Sequence, residues 1–92
     1  MFIWDSRKAI SNFEKHRVSF EEAATTFADD RCLDWDDLTH SGVAPRRKRL
    51  GISVSDRILL SIYTLRISKD GKAKIRIISS RQASRKEREV YA

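Results

Sequence analysis

Arg66, Arg76 and Arg81 are the residues of this chain best suited to chemistry on a phosphate. Each guanidinium presents a rigid fork of donors that matches phosphate oxygens and keeps its charge near neutral pH. Arg66 closes one strand-like segment, and Arg76 and Arg81 lie in the next, Ile75-Arg76-Ile77-Ile78-Ser79-Ser80-Arg81. Pairing across the intervening loop brings Arg66 and Thr64 near the start of the second segment, within reach of Arg76 and farther from Arg81. Strict alternation sends Ile75, Ile77, Ser79 and Arg81 to one face and Arg76, Ile78 and Ser80 to the other. A cluster of Arg66 and Arg76, with Arg57 as a third candidate, would grip a phosphodiester. The competing reading is solvated arginines whose stems cover apolar surface.

Two groups elsewhere in the chain could move protons. His16 stands in the run Lys15-His16-Arg17 at the end of a predicted helix, where an imidazole can serve as acid or base or simply satisfy free carbonyls as a cation. Tyr91, four residues after Glu87 near the C-terminus, could stack on a base, donate a proton or anchor a helix end. Lys8 and Lys15 share a polar helix face with Asn12 and could touch RNA. His40 has no cysteine or histidine partner at metal-ligand spacing, and there is no Gly-rich phosphate loop, Ser-His-Asp order or HExxH. No metal or cofactor is expected.

The charge is unevenly divided. Residues 1–44 hold five Lys/Arg against nine Asp/Glu and residues 45–92 hold fourteen against four, so the net +6 joins a −4 half to a +10 half. The basic half points to RNA as the first partner. Ninety-two residues predict one domain, 1–92, with a modest core. Cys32 is the only cysteine, so no internal disulfide is possible, and the reducing cytoplasm is the expected compartment. No apolar run approaches the roughly 20 residues that span a membrane.

Phe2-Ile3-Trp4 reads as a short strand, closed by the helix-capping pair Asp5-Ser6. The helix that follows should reach His16, with Ile10 and Phe13 joining Ala9 in its apolar stripe. Ser19 and Glu22 form a capping box before a second helix in which Phe20, Ala23, Ala24 and Phe27 recur at helical spacing, with Val18 stapled onto Ala23. The pair is expected to form a helical hairpin. Residues 29–41 carry five aspartates, Trp35 and Leu38, without a clean period, and part of this stretch suits a short strand. Strands are predicted over 46–53, 57–66 and 73–80, with turns at Gly42 and Pro45, Ser55-Asp56 and Asp70-Gly71. Ser84 and Glu87 form a second capping box, opening a terminal helix. Helices followed by strands predict an α+β domain, a small antiparallel sheet with helices packed on one face.

The order of residues resembles the BrnT toxin family almost end to end. The resemblance rests on Trp4-Asp5 with Lys8, Asn12 and Lys15-His16, on Val18-Ser19-Phe20-Glu21-Glu22-Ala23, on Asp29, His40-Ser41 and Gly51, and on Ile75-Arg76-Ile77-Ile78-Ser79 with Arg81, Ala83, Arg85, Glu87, Arg88 and Tyr91. Ser80, Gln82 and the basic run Arg46-Arg47-Lys48-Arg49 depart from the family's pattern. The resemblance implies a RelE-like fold and a ribonuclease toxin of a type II toxin–antitoxin pair that blocks translation. It also implies a BrnA-like ribbon-helix-helix antitoxin, an assembly with it such as a heterotetramer, and repression of the shared operator DNA by the complex.

A metal-free ribonuclease needs a base for the ribose 2′-OH, cations for the charge that grows on the phosphate, and an acid for the leaving 5′-oxygen. Arg66, Arg76 and Arg81 are assigned to the phosphate, with His16, Glu87 or Tyr91 as proton-transfer candidates and Lys8, Lys15 and Arg57 on the RNA backbone. Such chemistry leaves a 2′,3′-cyclic phosphate and a 5′-OH. The rival readings are a non-catalytic basic module that docks on nucleic acid, and a pure protein-interaction module.

Overall fold

Capping sets the helix boundaries. The computed structural model describes residues 1–38 and 45–92; the readings of His40, Ser41 and the Gly42 turn lie outside the described residues. Strand β1 (Phe2–Ile3) leads into α1 (Ser6–His16), whose first turn is capped by the Asp5 carboxylate accepting from the Arg7 and Lys8 amides. Arg17 takes the left-handed conformation, φ 57°, and its amide donates to the Phe13 carbonyl, which ends the helix. Ser19 then caps α2 (Phe20–Thr25), which tightens into a 3-10 turn over Thr26–Ala28.

Only one of the two expected capping boxes is complete. The Ser84 hydroxyl and the Glu87 carboxylate bond reciprocally to each other's backbone amide at the start of α3 (Arg85–Tyr91). At α2 the Ser19 hydroxyl accepts from the Glu22 amide at 3.0 Å, but the Glu22 carboxylate turns away to Arg57 and Ser53. A charge-assisted partner across the molecule outcompetes a local amide.

Strands β2 (Leu33–Asp36), β3 (Arg47–Ile52), β4 (Ile58–Ile67) and β5 (Ala73–Gln82) form an antiparallel ladder, and β1 joins β5 in parallel. The spatial order is β1-β5-β4-β3-β2. One face carries α1 and α2. There Phe20, Ala23 and Ile77 are buried with Trp4, Ala9, Ala24 and Ile75 packed against them. The other face carries α3 at one end, over a second cluster of Leu50, Leu60 and Ala83 joined by Ile58 and Tyr91.

Two further expectations fail for definite reasons. Ile10 and Phe13 are exposed, at 61% and 45%, because the side of α1 nearest the sheet carries Ala9, Asn12 and His16, spaced i, i+3, i+7. Asn12 is buried, and its carboxamide pairs with the backbone of Ser80 on β5. Strict alternation along β5 also fails. Ile62 faces Ser79 and Tyr63 faces Ile77, so Ile78 is an extra residue, a β-bulge. Beyond it every side chain switches face, which places Arg76 on the same side of the sheet as Ser79 and Arg81.

Gly51 marks a close approach: a Cβ there would stand 3.3 Å from the Asp29 carboxylate, the Cys32 Cβ and the Thr26 Cβ. Asp29 Oδ2 uses that space to accept the Ile52 amide at 2.9 Å and the Tyr91 hydroxyl at 2.6 Å. Thus α3 is tied to β3.

Candidate functional site

The sheet sorts the cations into two populations. On the helix-covered face, Asp34 accepts from Arg47 at 2.7 Å and Arg49 at 2.8 Å, and also from the Tyr63 hydroxyl; Asp36 takes a second bond from Arg47. Arg49 also lies 4.4 Å over the Phe27 ring. Arg57 is bound by the Glu22 carboxylate, with Nε to Oε2 at 2.9 Å, and donates to the Arg17 carbonyl. It is therefore withdrawn from the arginine cluster expected for it, because the Glu22 carboxylate of α2 claims it. The acidic first half of the chain thus neutralises part of the basic second half.

On the opposite face the strand cations other than Arg81 make no ion pair among the described residues. Residues facing each other on neighbouring strands share a face, and the register gives successive rows. Leu33, Leu50, Leu60 and Arg81 form one, Trp35, Lys48, Ile62 and Ser79 the next, and Thr64 with Arg76 and Ile3 a third. Arg66 opposite Lys74 closes the series. Arg66 and Arg76 are both exposed and diagonal neighbours on one face. Among the described residues none of Lys48, Arg66, Lys74 and Arg76 makes an ion pair.

A concavity of about 220 Å³ opens on this face, lined by His16, Lys48, Leu60, Ile62, Ser79, Ser80 and Arg81. His16 reaches it because Asn12, one turn earlier on α1, is pinned to the β5 edge beyond the short β1 strand. Its Nδ2 donates to the Ser80 and Val18 carbonyls at 2.8 and 3.0 Å, and its Oδ1 accepts the Ser80 amide at 3.1 Å. Imidazole, ammonium, hydroxyl and guanidinium then surround one open volume. Such a set can hold an oxyanion and exchange a proton with a group bound to it.

Arg81 does not stand free. Glu87 grips it in two parallel bonds of 2.8 and 3.0 Å. That guanidinium holds the Glu87 carboxyl down to about 2, against the opposing effect of burial and with help from the Ser84 amide. An ionised carboxylate locked in this way fixes the orientation of Arg81 and carries no proton to give. Tyr91 is turned toward Asp29 rather than into the concavity, and this hydrogen bond pushes its phenol above the usual range. Lys8 and Lys15 are exposed on α1, but Asn12 does not share their outward face.

Lys48 and Ser79 line the concavity, although neither stands among the candidate site residues read from the sequence. Lys48 lies in a visibly basic strand, yet only the register separates it from Arg47 and Arg49, which point to the aspartates. Among the described residues no three His, Cys, Asp or Glu side chains converge to hold a metal ion, and no helix is long and apolar enough to cross a membrane.

Comparison with known proteins agrees with the fold. A family model described as the ribonuclease toxin BrnT of a type II toxin–antitoxin system matches residues 4–87. The 1.1 Å crystal structure of the Brucella abortus ribonuclease toxin BrnT is similar in fold, with a TM-score of 0.65 at 20% identity, over 92% of this chain and 99% of that one. No curated protein matches the sequence significantly.

Proposed function

This chain belongs to the BrnT family of ribonuclease toxins of type II toxin–antitoxin systems, and we propose that it cleaves RNA in the concavity beside β5 without a metal ion. The observation that carries this is the hollow lined by His16, Lys48, Ser79 and Arg81, on the sheet face that also carries Arg66, Lys74 and Arg76, which make no ion pair among the described residues. Lys48 and Arg81 contact the scissile phosphate, Arg76 and Arg66 hold the flanking backbone, and His16 takes the 2′-OH proton and delivers it to the leaving 5′-oxygen as the P–O5′ bond breaks. The 2′-OH attacks the phosphorus, which leaves a 2′,3′-cyclic phosphate and a 5′-OH and spares DNA. The single folded unit acts in the cytoplasm, where loss of RNA halts translation.

The family pairs its toxins with an antitoxin. We assign that role to a BrnA-like ribbon-helix-helix protein, in a complex, such as a heterotetramer, that represses its own operator DNA.

The decisive experiment incubates purified protein with a labelled single-stranded RNA and its DNA equivalent. Wild type should yield cyclic-phosphate ends from RNA alone. His16→Ala should bind RNA but cleave at least tenfold more slowly, and Arg76→Ala should weaken binding. RNA left intact by a folded protein that binds it in a salt-dependent manner would replace the enzyme with a docking module.

A further inference from the structure

Trp35 lies on the cation-bearing face at the outer edge of the sheet. It stands opposite Lys48, which in turn faces Ile62 and then Ser79, so an indole, an ammonium and a hydroxyl share one row. Lys48, Ile62 and Ser79 all line the concavity. The indole is 39% exposed. Among the described residues it makes no ring contact, whereas Trp4 is packed edge-on against Phe20 and Phe27 against Tyr63. A large apolar ring left open on a cationic surface is costly to solvate. A nucleobase is a flat π-surface attached to a phosphate, and it would cover this ring while its backbone met Lys48.

We propose that Trp35 is the stacking platform for one unpaired base of the RNA substrate, next to the phosphate that Lys48 holds. The assignment rests on the RNA reading of the concavity. It restricts the substrate to single-stranded RNA, because a base inside a duplex presents no free face to an aromatic side chain. Stacking tolerates all four bases, so Trp35 gives affinity and register rather than a sequence code.

The test measures binding of a short single-stranded RNA to wild type, Trp35→Ala, Trp35→Phe and Lys48→Ala at several salt concentrations. Trp35→Ala should weaken binding by about 5- to 100-fold, Trp35→Phe should retain most of it, and neither should change the salt slope. Lys48→Ala should flatten the slope by about 0.7. RNA should also quench the tryptophan emission of wild type but not that of Trp35→Phe. If Lys48→Ala weakens binding and Trp35→Ala does not, stacking is wrong and the RNA reading stands. Loss of antitoxin affinity in Trp35→Ala with RNA binding intact would assign the ring to the protein partner and overturn the proposal. If wild type binds no RNA, the RNA reading fails before stacking is reached.

Discussion

The carboxamide of Asn12 pairs with the backbone of Ser80 as though it were one residue of an additional strand. It donates to the Ser80 carbonyl at 2.8 Å and accepts from the Ser80 amide at 3.1 Å, with the remaining donor hydrogen on the Val18 carbonyl. Strand β1 pairs only with Ile75 and Arg76, so β5 has an open edge past that point, and Asn12 closes it at Ser80. The same bonds set the height and rotation of α1, hence the position of His16 over the concavity.

Asn12→Ala should therefore cost about 2–3 kcal/mol, since buried backbone groups lose their partners and each unsatisfied group costs about 1–3 kcal/mol. Asn12→Asp should cost at least as much, because a carboxylate can accept the Ser80 amide but repels both carbonyls. Urea denaturation of the two variants measures this; a change below 0.5 kcal/mol in both would show that solvent replaces the amide without loss.

Glu87→Gln should reveal the ion pair through pH. The Glu87 carboxyl titrates at about 2 when folded and near 4.5 when free. The folded state thus favours the ionised form, and the stabilisation is complete above about pH 4.5 and disappears as pH falls through about 2. At neutral pH the substitution should cost roughly 1–2 kcal/mol, as expected for a bidentate but partly exposed pair. Wild type and variant should converge in stability as the solution is acidified. A constant difference down to pH 2 would assign the effect to packing.

Asp34→Asn should affect stability and spare RNA. It leaves Arg47, Arg49 and the Tyr63 hydroxyl around an uncharged amide on the helix-covered face, with an expected loss of about 2–4 kcal/mol. Because these arginines face away from the concavity, RNA affinity of the folded variant should stay within twofold of wild type. A large change in affinity at unaltered fold would show that the two cation populations communicate.

Removing Ile78 should leave the site in place. Without the extra residue Ile77 precedes Ser79 directly, and strict alternation keeps Ile77 and Ser80 on the helix-covered face and Arg76, Ser79 and Arg81 on the other, opposite the same partners on β4. The expected result is a cooperative thermal transition with RNA binding close to that of wild type; a deletion variant that folds but no longer binds RNA would show that the local bend of the bulge, and not only the switch of faces, shapes the site.

Much of the fold was legible in the chain because local chemistry fixed it. Asp5, Ser19 and Ser84 start helices by offering an oxygen to free amides, and Arg47–Ile52, Ile58–Ile67 and Ala73–Gln82 lie close to the expected strands. The short strand suspected among the aspartates is β2. The α+β class and the family likeness followed from the order of residues alone, as did the placement of Arg66 and Arg76 within reach of each other.

What tertiary structure decided is which charges cancel and which remain. Arg47, Lys48 and Arg49 are chemically alike in sequence, but the β2–β3 register presents the first and third to Asp34 and leaves the second open. Arg57 and Glu22 are 35 positions apart, and Arg76 and Arg81 share a face only through the bulge at Ile78. An ion pair depends on distances that exist only once strands are in register, and a bulge depends on packing across the sheet; neither leaves a local mark on the chain.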